Sequence, residues 1–156
     1  MNTFLSQRFK TFIALAFVSI NVTSGSTVYA DTCDTGYELL EPELSIVSSL
    51  ASSVYDSESG AESAHDKDFF TSWLSEEDYT TDDDIYFDLG EIKTINNLSI
   101  LMYDIDGPTV FDIQLCGDLN FATSCDVAHS QVSGTNNLFT IFDLGGLPGR
   151  YVRITN

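Results

Sequence analysis

Asp66, Asp68 and Thr71 stand close together in the stretch HDKDFFTSWLS, residues 65–75. Two carboxylates and a hydroxyl at this spacing are hard oxygen donors, of the kind Ca²⁺ gathers roughly six to eight at a time. The same residues have a plainer use. Asp side chains accept hydrogen bonds from backbone N–H groups two residues on, and so close a polar turn without any ion. The stretch is not an EF-hand, because Phe70 fills the third ligand position and the glycine and distal glutamate are absent. Phe69 and Phe70 lie between the oxygen donors, and an exposed aromatic face is a surface on which a sugar ring can stack. On these residues alone a cation-binding loop and a polar turn both stay open. The candidate ligand-binding residues are His65, Phe69, Phe70 and Tyr79.

Other chemistries have less to work with. His65 and His129 are the only two histidines. Serines are plentiful, but there is no nucleophile elbow and no base with an orienting partner, so catalysis is not expected. The His and Cys spacing does not suit zinc. The acids from Glu76 to Asp84 read as a solvated loop, with a second weak cation site as the sharper alternative. Gly145, Gly146 and Gly149 make a turn, not a phosphate cradle, since neither a strand-to-helix context nor a lysine follows.

The elements that must hold these residues read as strands. Ile85–Leu89 is a strand ending at Gly90. In Ile95–Tyr103, Leu98, Ile100 and Met102 share one face by period two. Val110–Cys116 puts Phe111, Ile113 and Leu115 on one face. Val127–Val132 is weaker, Leu138–Leu144 stronger, and Arg150–Thr155 carries Val152 and Ile154 inward. Turn signals fall at Asp106–Pro108, Gly134–Asn137 and Gly145–Gly149. Glu43–Tyr55 is ambiguous between helical spacing and a strand or irregular segment, the latter favoured. Short strands about ten residues apart, without a long helix, predict an all-β sandwich or barrel.

The first thirty residues read as a signal peptide. Arg8 and Lys10 precede the apolar run Phe12–Ile20, which is shorter than the roughly 20 residues a membrane span needs, and Val28-Tyr29-Ala30 suits a cleavage site. Residues 31–43 are an N-terminal extension, and 44–156 the domain. After residue 30 four basic residues face all 24 acidic ones, a formal charge of −20. Such a surface repels phosphate backbones and anionic lipid headgroups. No transmembrane segment is expected. Three cysteines suit export. Cys116 and Cys125 bracket a turn-like stretch, and a disulfide between them is the favoured pairing. Cys33 is left free, pairs with another chain, or displaces one of those two.

Several marks, in order, resemble the discoidin or coagulation factor 5/8 type C (F5/8 type C) family, which includes carbohydrate-binding modules. Asp66-Lys-Asp68-Phe-Phe-Thr71-Ser-Trp73 is similar to its DGD-x-x-T-x-W loop, with Lys67 in place of the usual glycine. Ala51-Ser52-Ser53 is similar to its early "AS" strand. Ile85-Tyr-Phe-Asp88-Leu89-Gly90 is similar to "W-I-x-V-D-L-G", Phe111–Leu115 to "Y-x-I-x-x-S", and Arg150–Ile154 to "A-R-Y-V-R-I". The resemblance implies an antiparallel jelly-roll β-sandwich of eight strands, galactose-binding-domain-like. Here it is expected to lack the last strand, with the glutamate that completes the family's calcium shell. It also implies a structural Ca²⁺ at Asp66, Asp68 and Thr71, with Trp73 packing beside the loop. The function it implies is that of a secreted, extracellular or periplasmic binding module without catalysis. Its ligand would be a carbohydrate, such as the terminal sugar of a polysaccharide or glycoprotein. The rival readings are a protein-interaction or cell-adhesion module on the same fold, and a degenerate copy without a ligand. Nucleic acid is not an expected partner, and the charge argues against anionic membranes.

Overall fold

Alternation of apolar and polar residues drives the architecture. In the segment from Asp84, the side chains of Ile85, Phe87 and Leu89 are buried while Tyr86 and Asp88 face outward. The computed structural model of the protein describes residues 14–21, 44–75, 83–102, 110–119, 124–133 and 139–155. They form β1 (Ala14–Asn21), β2 (Ser48–Ala51), a short 3-10 helix (Ala61–Ala64), β3 (Trp73–Leu74), β4 (Asp84–Met102), β5 (Val110–Cys116), β6 (Cys125–Ser133) and β7 (Phe139–Thr155). No helix among these residues is long and apolar enough to cross a membrane.

All strand pairings are antiparallel, in the order β3-β1-β4-β7-β5-β6, with β2 also on β4. Two strands are long enough to serve both layers of a sandwich. The first half of β4 runs between β2 and β7, in the register Leu50↔Tyr86↔Arg153. Its second half runs between β1 and β7, in the register Val18↔Ile100↔Thr140. The second half of β7 continues to β5 and β6. One layer is therefore β2-β4-β7-β5-β6 and the other β3-β1-β4-β7, joined through the bent middles of β4 and β7. The two layers meet in one core. Phe111 of β5 and Phe142 of β7 cross at 5.8 Å between centroids. Phe87, Ile100, Ile113, Val152 and Ile154 fill the same cluster. Burial of each such side chain contributes about 1.5–3 kcal/mol relative to exposure.

The bends correct two expectations. Gly90 does not end a strand, and Gly145–Gly149 is not a hairpin turn. Both stretches lie inside continuous strands as bulges, with register shifts between Asp88 and Lys93 and between Ile95 and Asn97. At each bulge an aspartate accepts a hydrogen bond from the N–H of a left-handed glycine two residues on. The pairs are Asp88 with Gly90 (2.7 Å, φ 79°) and Asp143 with Gly145 (2.9 Å, φ 67°). A side chain at either glycine would be strained, and the extra residues rotate each strand from one layer into the other.

The other expectations fared variously. Val110–Cys116 is a strand from end to end. The ambiguous Glu43–Tyr55 holds the strand Ser48–Ala51, and no helix among its described residues. The Cys116–Cys125 disulfide is present, across paired residues of β5 and β6. Residues 14–21, within the stretch read as a leader, form a strand between β3 and β4. Cys33, Tyr79, the acids from Glu76 to Asp82 and the Asp106–Pro108 and Gly134–Asn137 turns lie outside the described residues.

Candidate functional site

The loop of Asp66–Thr71 is held at both ends. Before it, the 3-10 helix buries Ala61 and Ala64 in the core and stops at His65, whose N–H donates to Glu62 O at 3.0 Å. After it comes β3, where Trp73 is fully buried and its Nε1 donates to Ser53 O at 3.0 Å. Leu74 N donates to Ser59 O and Tyr55 N to Leu74 O, closing the base. Trp73 thus packs beneath the loop as the resemblance implies.

Within the loop the polar atoms converge. Asp66 Oδ1 accepts from Asp68 N at 2.8 Å, and Asp68 Oδ1 accepts from Phe70 N at 2.9 Å. These are the side-chain-closed turns expected of Asp. Lys67, between them, takes a left-handed φ of 67°, the conformation the family's glycine would adopt without strain. Thr71 Oγ1 then lies 3.0 and 2.8 Å from the two carboxylate oxygens of Asp66 and 2.9 Å from Asp68 O. One hydroxyl hydrogen can be donated to only one of these three acceptors at a time. Four oxygens sharing one proton form a pocket of negative potential, and their donor chemistry fits a hard cation. They would fill part of a Ca²⁺ shell, which takes about six to eight oxygens. Among the described residues no group of three or more His, Cys, Asp or Glu side chains converges to complete it. Asp83 and Asp84 are engaged elsewhere. Asp83 accepts from Ser53 Oγ at 2.7 Å, and Asp84 from Arg153 and Tyr86 at 2.7 and 2.8 Å.

The aromatic candidates divide. Phe70 is 99% exposed. Phe69 is half exposed and stands edge-on to Phe139 at the start of β7, 6.1 Å between centroids. Its ring is therefore braced, while that of Phe70 is offered to solvent. His65 turns inward. Its Nε2 pairs with Ser49 Oγ at 3.0 Å, and its ring meets Phe87 edge-on at 5.9 Å. Burial pushes its imidazole below the ordinary value. It still borders a small cavity of about 220 Å³, with Leu44, Ile46 and Lys67. The structure thus brings Asp66, Asp68 and Thr71 together, places Phe69 and Phe70 beside them in sequence, and turns His65 toward β2. The bracing residue Phe139 escaped the sequence reading. Its place in the Leu138–Leu144 run, out of step with Leu138, Phe142 and Leu144, is the one signal it left.

A second polar group lies on the outer face of the β2-β4-β7-β5-β6 layer. Arg150 Nε and Nη2 donate to the two carboxylate oxygens of Asp88, each at 2.9 Å, and its guanidinium lies 4.9 Å from the Tyr151 ring centroid. The hydrogen bond from Arg150 holds the Asp88 carboxyl below the usual carboxylate range.

No protein-family model and no curated protein matches the sequence. Solved structures do. A chitosan-binding module from a chitosanase/glucanase of Paenibacillus sp. IK-5 is similar with a TM-score of 0.60 at 22% identity, over 70% of this chain and 80% of that one. The CBM32 of AlyQ, in complex with 4,5-unsaturated mannuronic acid, gives a TM-score of 0.57 at 28% identity, over 71% and 81%. The family 32 CBM of C. perfringens NanJ, in complex with galactose, gives 0.55 at 16% identity, over 69% and 80%. With the antiparallel two-layer sheet and its discoidin-like marks, these likenesses show that the chain has the galactose-binding-like β-sandwich fold of discoidin-type domains.

Proposed function

We propose that the chain is a non-catalytic carbohydrate-binding module that recognises a terminal sugar through the loop of Asp66–Thr71. The observation that carries this is the fully exposed Phe70 ring on a loop tied down by Asp66, Asp68 and Thr71. Sugar rings present apolar C–H faces that stack on such an aromatic, and a stiff loop loses little entropy when it binds. Phe69 extends the platform. His65, whose Nε2 is held by Ser49, and Tyr79 are proposed as further contacts on the sequence reading alone. Three solved neighbours, from different organisms or enzymes, are modules described as binding chitosan, mannuronic acid or galactose, which supports the ligand class. The same proposal includes a structural Ca²⁺ held by the oxygens of Asp66, Asp68 and Thr71, which would stiffen the loop. It also includes export, with residues 1–30 as leader. The acidic surface speaks against nucleic acid as a partner.

A glycan array probed with the chain, once with millimolar Ca²⁺ and once with EDTA, tests the proposal. Saturable binding to one sugar class is expected, weaker in EDTA. A folded sample that binds no glycan in either condition overturns the carbohydrate reading and favours the adhesion reading, in which the acidic surface meets a basic protein. Binding that is equal in both conditions removes the Ca²⁺ and leaves the hydrogen-bonded turn.

A further inference from the structure

We infer that the outer face of the β2-β4-β7-β5-β6 layer carries a second saccharide site, made for a single neutral hexose ring and separate from the Asp66–Thr71 loop. The inference takes its ligand class from the proposed function and extends it to another face. A cavity of about 240 Å³ opens there between β2 and the turn after β5, with Tyr86, Asp88, Arg150 and Tyr151 at its floor. That is smaller than the roughly 300–1,000 Å³ typical of drug-sized ligands, which suits one sugar ring. Leu50 and Leu119 form its walls and are 61% and 58% exposed. Isolated leucines on a surface need no explanation, but two that flank a polar floor provide the apolar sides a sugar's C–H groups require.

The floor supplies the hydroxyl chemistry. Arg150 uses Nε and Nη2 on Asp88 and lies against Tyr151, so its fork is fixed before any ligand arrives. Among the described residues its Nη1 has no hydrogen-bond partner, and its side chain is 39% exposed. Asp88 already accepts from Arg150 twice and from Gly90 N, so it holds the guanidinium in place, and the polar group left for a sugar hydroxyl is the Arg150 Nη1 donor. Because Asp88 already neutralises Arg150, the floor does not select for a charged sugar. The acidic surface around it repels uronates. The ligand is therefore neutral.

The test is an NMR titration of the isotope-labelled full chain with D-galactose, D-glucose, D-mannose and, separately, D-glucuronate. It is run on the chain itself, on Leu119→Arg and on Phe70→Ala. Leu119 is exposed, so its replacement fills the cavity mouth without touching the core. The expected result is saturable shifts at Leu50, Asp88 and Tyr151 with a neutral hexose. They should persist in Phe70→Ala and weaken by about tenfold or more in Leu119→Arg, the scale of a lost pocket wall. Shifts confined to Phe69–Thr71 would overturn the second site and leave the loop site standing. Face shifts unchanged in Leu119→Arg, or stronger with glucuronate, would overturn it as drawn. Face shifts without loop shifts would support it against the loop site. No shift with any of these sugars would overturn the second site and leave the loop site to the glycan array.

Discussion

If the loop is the proposed sugar site, Phe70→Ala should separate binding from folding cleanly. The ring is 99% exposed, so the fold gains nothing from it. Unfolding free energy should change by no more than about 0.5 kcal/mol, the usual range for an exposed surface position. Binding should change far more. An aromatic side chain can bury roughly 150–250 Å², and a pyranose on one face covers on the order of 60 Å² of it. At about 25 cal/mol per Å², that contact contributes about 1.5 kcal/mol. The dissociation constant of the best glycan should rise roughly tenfold. The assay is isothermal titration calorimetry with that glycan, beside urea unfolding of the same sample. Phe69→Ala is the control, because its braced ring should carry both stability and binding. Unchanged affinity at unchanged stability would place the sugar elsewhere. A loss of stability equal to the loss of affinity would refute the reasoning from exposure.

Thr71→Val removes the hydroxyl on which three other oxygens converge. With Ca²⁺ at ten times its dissociation constant, the chain should gain about 1.4 kcal/mol of stability, and the variant less than half of that. Equal gains in thermal unfolding would remove Thr71 from the cation's ligands. Replacing Cys116 and Cys125 together by Ala opens a loop of sequence separation 9. Chain-entropy arithmetic for so short a loop predicts a loss of about 2.6 kcal/mol in urea unfolding. A loss under about 1 kcal/mol would mean that the β5–β6 pairing alone fixes the turn, helped by Gly117 N on Ser124 O. Burial and then the hydrogen bond to Asp84 push the Tyr86 hydroxyl up to about 12. Its folded value lies above the unfolded one, so its stabilisation is complete below about pH 10 and fades as pH rises toward 12. Tyrosinate absorbance should show a late-titrating component that is lost in Tyr86→Phe. A titration curve that Tyr86→Phe leaves unchanged at its alkaline end would contradict the packing around Arg153.

What the sequence made legible was whatever local patterning decides. Phe111, Ile113 and Leu115 alternate so cleanly that β5 was bounded correctly at both ends. Asp66 and Asp68 announced their turns, since an Asp two residues ahead of an N–H needs no tertiary help to close one. Long-range partners were not legible. Gly90 reads as a strand end and Gly145–Gly149 as a turn after the strand Leu138–Leu144. They became bulges because β4 and β7 pair on both sides of them. The Phe69–Phe139 contact and the Arg150–Asp88 pair join residues some 60 or more apart in sequence. Such meetings depend on how strands arrive at one another, and residue spacing does not encode that. Glu43–Tyr55 stayed ambiguous for a related reason. Its Leu and Val spacing suits a helix, but Leu50 found Tyr86 across a ladder instead.

The place of Ala14–Asn21 bears on how the protein is made. The strand lies between β3 and β4, laddered to β4 from Leu15↔Met102 to Asn21↔Asn97. Leader cleavage after Ala30 would cut the chain beyond this ladder, not within it. If folding came first, the severed peptide would stay in the sheet as a clipped, non-covalent strand. Gel filtration would then carry it with the domain, and mass spectrometry under denaturing conditions would release it. If cleavage came first, residues 97–102 of β4 would begin life with a bare row of N–H and C=O groups. An edge of that kind recruits a strand from another molecule. The order of two events, processing and folding, would then decide whether one sequence yields a self-closed domain or one completed by a neighbour.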